Sequence, residues 1–147
     1  KDPPFSFKSP NEYLYTENLQ MLNFPAPYIF VASGKGEEDF IEIDILYIEG
    51  KVGPESSMDD FLKGLDKGAA KSGIKVLDTK EIVTKNNLQA FVAEAMDDTL
   101  GVTHYMKATM IPDKDRGFTY LIRYTSTLDY KEYVEDADTI VDSFKLG

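Results

Sequence analysis

The single histidine of the chain, His104, is the side chain best suited to accept a proton near neutral pH. It follows two adjacent carboxylates, Asp97 and Asp98, and a carboxylate next to an imidazole is a typical general-base pair. However, His104 also alternates with the apolar residues Val102 and Met106 along a predicted strand. A lone histidine among apolar neighbours is more often a packed, hydrogen-bonded side chain. We therefore interpret His104 as structural, with proton transfer near Asp97 or Asp98 as the alternative.

A second candidate is the segment Asp113-x-Asp115, which together with Gly117 is similar to the start of an EF-hand calcium loop. Counted from Asp113, the sixth loop position requires glycine but holds Phe118. The twelfth position requires glutamate but holds Tyr124. Because a hairpin turn explains these residues fully, we predict a turn here, and calcium binding is the weaker interpretation.

The remaining composition excludes several kinds of chemistry. The chain has 147 residues, a net charge of −10 and no cysteine, so it has no thiol nucleophile, disulfide or thiolate metal site. It contains neither a nucleophile elbow nor a glycine-rich phosphate loop. Its acidity disfavours nucleic acids and anionic membranes, and no apolar run is long enough to span a bilayer. We predict no catalytic residue, cofactor, resident metal or nucleic-acid partner. The acidic loops 37–39 and 97–98 leave a divalent-cation-responsive scaffold as a weaker function.

Aromatic side chains are concentrated in an N-terminal stretch that two prolines interrupt, namely Tyr13, Tyr15, Phe24 and Tyr28. One interpretation is that they pack over the edge of a sheet. The other is that they form an exposed aromatic patch, which is typical of protein-contact surfaces. We name these four residues as candidate protein contacts.

Alternating apolar residues and turn signals predict the elements that position these side chains. Strands are predicted at 5–7, 28–32, 40–48, 75–85, 88–96, 100–111 and 118–125. The last four are separated by short turns and therefore predict an antiparallel meander. Two amphipathic helices are expected as well, at 57–72 and from Ser126 or Thr127 to the C-terminal region. Gly73 is expected just after the first helix, and the acidic side of the last helix is predicted to be solvated.

The order of these elements resembles that of the PsbP-like family, in three stretches. They are "FSFKSP" at 5–10, "SSMDDFLKGLDKGAAKSGIKVLD" at 56–78 and "TLDYKEYVEDADTIVDSFKL" at 127–146. This family includes extrinsic photosystem subunits, a nuclear-transport Ran-binding protein and small bacterial exported proteins. The resemblance covers nearly the whole chain and implies one α+β domain over 1–147. That domain would be an α/β/α sandwich with a central, mainly antiparallel sheet of about six strands, a mid-chain helix and a C-terminal helix.

The resemblance also implies a function, because members of the family mostly bind proteins or assist the assembly of membrane complexes. It supplies no shared catalytic residue. Bacterial members are often exported and lipid-anchored through a cysteine that precedes the domain, and the start at Lys1 without Met indicates an upstream segment. We therefore predict a non-enzymatic exported binding or assembly module, periplasmic or at the cell surface, with a protein partner. The alternative is a small-ligand carrier or enzyme with a pocket between sheet and helix.

Overall fold

The computed structural model describes residues 5–6, 14–17, 28–33, 41–49, 73–98, 101–113 and 115–147. Their strands are β1 (Phe5–Ser6), β2 (Leu14–Glu17), β3 (Tyr28–Ser33), β4 (Ile41–Glu49), β5 (Ile74–Val83), β6 (Gln89–Asp97), β7 (His104–Asp113), β8 (Phe118–Thr127) and β9 (Lys145–Leu146). Between β8 and β9 lie a 3₁₀ helix (Leu128–Tyr133) and the α-helix α1 (Val134–Ser143). The described residues therefore form an α+β structure, as the sequence predicts.

The main sheet contains seven strands in the order β2-β3-β4-β8-β7-β6-β5, and every neighbouring pair is antiparallel. The predicted meander is confirmed, since β5, β6, β7 and β8 are consecutive in the chain and adjacent in the sheet. The number of strands differs from the expected six or so. Strand β2 lies in a stretch where the sequence shows no clean alternation, and its residues pair with β3.

The first predicted strand lies elsewhere. Instead of joining the main sheet, β1 pairs with β9 in a separate two-stranded ribbon, in which Phe5 lies opposite Leu146 and Ser6 opposite Lys145. Strand β9 itself was not predicted. Two residues are too few to show a hydrophobic period, so only the pairing between distant parts of the chain reveals this strand.

Helix α1 covers one face of the sheet, which we call the helix face. Residues on this face alternate along the strands and are buried, as are the apolar residues of α1 that meet them. The core formed there contains Ile43, Ile45, Tyr105, Ile111, Tyr120, Ile122, Tyr124, Ala137, Ile140, Val141 and Phe144. The rings of Tyr120 and Phe144 meet edge to face with centroids 5.1 Å apart. The predicted stripe of α1 is thus the surface that fixes the helix on the sheet.

The opposite face of the sheet also carries apolar residues. Phe91 and Ala93 on β6 alternate with the helix-face residue Val92, and all three are buried. This confirms that β6 is apolar on both of its faces, as expected for a strand covered on both sides. The mid-chain helix predicted at 57–72 lies outside the described residues, whereas Gly73, expected just after it, is described. That glycine has φ +76°, the conformation typical of a residue just after a helix.

The C-terminal helix begins later than the sequence indicates. Ser126 and Thr127 still belong to β8, and Ser126 pairs with both Ile41 and Tyr105. A 3₁₀ helix then precedes α1, and Thr127 makes no side-chain capping hydrogen bond. Pairing in the sheet therefore overrides the local N-cap preference of these two residues. Within the described part of the chain, no helix combines the length and apolarity that crossing a membrane requires.

Candidate protein-contact surface

The space between the sheet and the helical segment is filled by tyrosines. The rings of Tyr105 on β7 and Tyr124 on β8 lie 6.3 Å apart, and the ammonium of Lys131 lies 4.9 Å from the centre of the Tyr105 ring. Burial raises the pKa of Tyr105, and the nearby charge and hydrogen bond of Glu94 raise it further. Burial also raises the pKa of Tyr124, although a hydrogen bond with Ser126 opposes this shift. Both phenols therefore stay protonated at neutral pH and serve as packing groups.

Two carboxylates of α1 bind lysines, one in strand β7 and one in the turn after β5. Lys107 on β7 donates to Asp138 at 2.7 Å, and its side chain is only 16% exposed. Lys85, in the turn after β5, lies 3.0 Å from Asp142, and its side chain is 76% exposed. This corrects the expectation that the acidic side of the helix is simply solvated. Part of that side is an electrostatic contact that holds α1 to the sheet, mainly through the less exposed Lys107.

The C-terminal turn of α1 is held by the turn between β5 and β6. The amide nitrogen of Asn86 donates to the carbonyl oxygen of Asp142 at 3.2 Å and to that of Phe144 at 3.0 Å. Carbonyls at a helix end have no partner within the helix, so this side chain satisfies two of them. The neighbouring Asn87 has φ +60°, a left-handed conformation that asparagine tolerates better than most residues.

The Asp113 turn is held together by contacts of its own carboxylate. The Asp113 side chain is 2% exposed, and its carboxylate accepts hydrogen bonds from the Arg116 backbone at 3.3 Å and from the Arg116 guanidinium at 3.0 Å. Gly117 closes the turn with φ +73° and donates to the Asp113 carbonyl oxygen at 2.9 Å. The same guanidinium donates to the Gly147 carbonyl oxygen. Both carboxylate oxygens of Asp113 are thus used inside the turn.

These contacts lie at one end of the sheet, which we call the closed end and define by Lys85, Asn86, Asp113, Arg116 and Asp142. A polar cleft of about 390 Å³ opens there, and it is lined by Lys85, Asn86, Thr139, Asp142, Ser143 and Lys145. Most of its polar groups already bind other parts of the protein. The cleft lies beside the C-terminal turn of α1 and not between helix and sheet, where a ligand pocket was the alternative expectation. Among the described residues, no group of three or more histidine, aspartate or glutamate side chains is arranged to hold a metal ion.

The other end of the sheet, which we call the open end, exposes apolar side chains. Val102, before β7, is 55% exposed, and Leu128, after β8, is 45% exposed. The outermost residue pair of β7 and β8 at this end is His104 opposite Thr127. Val102 lies two residues before His104, and Leu128 directly follows Thr127. Large apolar side chains at such exposures contribute little to the core. A pair of them at one end of adjacent strands is a candidate contact surface.

The structure also shows where His104 lies. It stands opposite Asp97 in the pairing of β6 with β7, a proximity that the sequence alone does not predict. Its Nδ1 lies 2.9 Å from the carbonyl oxygen of Val102, two residues earlier. Asp98 instead accepts a hydrogen bond from Thr103 at 2.5 Å. His104 thus helps to shape the turn before β7, in agreement with the structural interpretation.

Two of the four predicted contact residues, Tyr13 and Phe24, lie outside the described residues. Tyr15 is in β2, opposite Ala32, and Tyr28 is the first residue of β3, opposite Leu46. These two tyrosines therefore occupy neighbouring strands, at positions toward opposite ends of β3. Their strands lie on the side of the sheet away from β5 and β6.

Sequence reasoning did not find Val102 or Leu128 as surface residues. Val102 fits the alternating pattern of the predicted strand, but the strand begins only at His104. Leu128 does offer a signal, because it lies outside the helical stripe that contains Tyr133, Val134 and Ala137. An apolar residue outside an amphipathic stripe does not pack into the core that the stripe forms.

Comparison with solved structures identifies the fold. No protein-family model matches the sequence, and no curated protein matches it. The structure is similar to that of LpqN, which is involved in cell envelope biogenesis of Mycobacterium tuberculosis, with a TM-score of 0.64 and 12% identity over 98% of this chain and 83% of LpqN. It is also similar to the Saccharomyces cerevisiae Ran-binding protein Mog1p, with a TM-score of 0.59 and 12% identity over 97% of this chain and 89% of Mog1p.

A third similar structure is a Pseudomonas aeruginosa protein of unknown function described as a putative regulator, with a TM-score of 0.54 and 13% identity over 92% of this chain and 77% of that protein. At these identities the likeness shows the fold alone. The chain has the fold of Mog1p and LpqN, which supports the fold that its resemblance to the PsbP-like family implies.

Proposed function

We propose that this chain is a non-enzymatic binding module that acts through contact with a protein partner. The observation that carries the proposal is the fold, because it is shared over nearly the full length with a protein described as Ran-binding and with one involved in cell envelope biogenesis. The chemistry of the described residues supports it. Their titratable side chains form packing and anchoring contacts, as Tyr105, Lys107 and Asp113 do.

The arrangement of the core favours binding at the surface over binding inside. Tyr105, Tyr120, Tyr124 and Phe144 occupy the space between α1 and the sheet, and all four are at most 2% exposed. A carrier or enzyme with a pocket at that interface would need this space for its ligand. A partner that binds this part of the chain therefore meets its outer surface.

Affinity capture with the full chain as bait, in its native cell, tests the proposal. We expect one partner to be enriched and then to bind the purified chain with 1:1 stoichiometry in calorimetry. The matched control is a Phe144→Ala bait, which disrupts the packing of α1 and should lose the partner. The proposal fails if purified candidates do not bind, or if the chain turns over a small molecule that co-purifies with it.

Export to the periplasm or the cell surface forms part of the proposal. Its support is the likeness to LpqN together with the resemblance to exported members of the PsbP-like family. Cell fractionation with an antibody against the chain tests this location, and recovery in the cytoplasmic fraction alone would refute it.

The N-terminal aromatic residues Tyr13, Tyr15, Phe24 and Tyr28 remain proposed contacts of this module. Aromatic side chains supply much of the binding energy in protein interfaces, so an alanine at a central contact lowers affinity strongly. Once a partner is isolated, Tyr15→Ala and Tyr28→Ala should each weaken its binding by about tenfold or more if they belong to the interface. Unchanged affinity in both variants would move the contact surface to another part of the molecule.

A further inference from the structure

Strand β5 forms one edge of the main sheet. It pairs with β6 on one side, and no other described strand pairs with its second side. Six of its ten residues are exposed, so the rest of the chain leaves much of this strand open to solvent. Every second residue of an antiparallel strand directs its N–H and C=O groups away from the paired neighbour. The outer side of β5 therefore offers backbone hydrogen-bonding groups to which another strand can be added.

The charged side chains at this edge are incompletely compensated. Asp78 lies directly opposite Glu94 of β6, and like charges at such positions destabilise a sheet. Glu94 has Lys107 opposite it on its other side, so Asp78 lies at the outer end of this row. Within the described part of the chain, neither Asp78 nor Lys80 makes an ion pair. A cation placed beyond the edge, opposite Asp78, would therefore relieve the repulsion.

The sequence of β5 supplies such a cation when the strand pairs with a second copy of itself. Side chains that lie opposite each other in an antiparallel pair are on the same face of the sheet, so the two-fold axis of a symmetric pair passes through a residue. With the axis at Thr79, Asp78 of each copy lies opposite Lys80 of the other. An axis at Lys80 or at Glu81 would instead place two like charges opposite each other. Charge complementarity therefore favours Thr79 over these two positions.

We propose that β5 pairs with β5 of a second copy of this chain in antiparallel orientation, with the two-fold axis at Thr79. The two sheets then continue into one another, and Asp78 lies between Glu94 of its own copy and Lys80 of the second. Because the register of β5 shifts between Val76 and Asp78, the regular ladder is short, and we expect a reversible dimer that forms at high protein concentration. The proposal concerns self-association and does not depend on the protein partner of the proposed function.

Because the chain has no cysteine, a crosslinking test can use one engineered thiol per chain. Residues directly opposite each other in antiparallel strands have Cα atoms about 4.5–5.5 Å apart, which is within the reach of a disulfide. Under mild oxidation, Thr79→Cys should therefore form a covalent dimer, seen by non-reducing electrophoresis. The control is Val83→Cys, whose side chain is 69% exposed but whose two copies would lie roughly 27 Å apart along the ladder. Random collision would favour the exposed Val83→Cys, whereas the proposed pairing favours Thr79→Cys.

Sedimentation velocity over a range of concentrations measures the reversible dimer without a crosslink. Lys80→Asp places two carboxylates opposite each other on both sides of the axis and should raise the dimer Kd about tenfold or more. The double variant Asp78→Lys/Lys80→Asp exchanges the two charges and should restore the wild-type Kd to within about threefold. Thermal unfolding of each variant verifies that it is folded. Weakening by the single substitution and rescue by the exchange would support the proposed register.

The proposal is wrong if the chain stays monomeric at every concentration, or if Thr79→Cys gives no more disulfide dimer than Val83→Cys. It is also wrong if Lys80→Asp leaves the dimer Kd unchanged, since the dimer would then form through another surface. A strand of a different protein is the other possible occupant of the β5 edge. Hydrogen-exchange protection of the β5 amides only in the complex with a captured partner would indicate that occupant and refute self-association.

Discussion

The two ends of the sheet use their polar side chains in different ways. At the closed end, polar groups are bound within the protein: Asn86 binds two carbonyl oxygens at the end of α1, and Asp113 binds Arg116 from a position that is 2% exposed. At the open end, the turn before β7 is also well hydrogen-bonded, but its polar contacts support the apolar side chain of Val102 at 55% exposure.

This difference separates residues that hold the fold from residues available for binding. A buried polar group needs a hydrogen-bond partner inside the protein, so its substitution lowers the free energy of unfolding. An exposed apolar side chain contributes little to the stability of the folded state. Its substitution therefore changes a measurable quantity only when a partner covers it, namely the affinity for that partner. Stability measurements at both ends therefore decide which of these side chains support the fold.

The largest effect is expected for Phe144→Ala, next to the closed end. Phe144 is fully buried against Tyr120, and truncation of a buried phenylalanine costs about 3–5 kcal/mol through lost burial and the cavity left behind. Urea denaturation should show this decrease in the free energy of unfolding. Val102→Ala, at the open end, should change it by less than about 0.5 kcal/mol. A decrease in the free energy of unfolding above about 1 kcal/mol for Val102→Ala would show that this side chain supports the fold. The difference between the closed end and the open end would then not hold.

A smaller effect is expected for Arg116→Ala. The buried Asp113 carboxylate would lose its guanidinium partner and keep only the backbone hydrogen bond, which should cost about 1–3 kcal/mol. The double variant Asp113→Asn/Arg116→Ala removes the charge as well as its partner, so it should be less destabilised than the sum of the two single variants. Strict additivity in this double-mutant cycle would mean that the two side chains do not interact energetically.

The buried tyrosines predict a loss of stability in base. Because the pKa of Tyr105 and that of Tyr124 are raised in the folded protein, each phenol keeps a proton that the unfolded chain releases above the ordinary value of 10.0. The stabilisation is fully present below pH 10 and decreases as the pH rises above it, by up to about 1.4 kcal/mol per pH unit for each tyrosine.

Urea denaturation between pH 9 and pH 11.5 measures this dependence. Tyr105→Phe should remove the contribution of one tyrosine and make the decrease less steep than in the wild type. The difference between the two slopes measures the contribution of the Tyr105 phenol. Identical slopes in the two proteins would contradict the assigned role of burial and of Glu94.

The regular part of this fold could be predicted from local pattern. Strands β5 to β8 alternate and are separated by turn residues, so the meander follows from the sequence alone. The turn at Asp113 to Gly117 was also predictable, because the aspartate and the glycine each have a turn-specific property. In both cases the information lies within a few residues of the element that it determines.

The rest depends on residues that are distant in sequence. Asn86 reaches carbonyls 56 and 58 residues away, and the β1–β9 ribbon joins Phe5 to Leu146. Neither contact leaves a periodic signal. The exposure of Val102 has a similar origin, because it depends on where pairing with β6 and β8 begins. Alternation alone placed Val102 inside a strand. The sequence therefore indicated neither the contacts of Asn86 at the closed end nor the exposure of Val102 at the open end.

The smallest effect distinguishes the two lysines that bind α1. Lys107→Met keeps most of the side-chain length but removes the ammonium that lies 2.7 Å from Asp138, in a side chain only 16% exposed. Lys85→Met removes a comparable contact to Asp142 from a side chain that is 76% exposed. Solvent and salt screen the exposed pair, so Lys85→Met should change the free energy of unfolding by less than about 0.5 kcal/mol, whereas Lys107→Met should cost about 1 kcal/mol. Urea denaturation at low and high salt measures both. Equal costs would mean that burial does not distinguish the two pairs, and that α1 is held to the sheet by its apolar stripe and by Asn86.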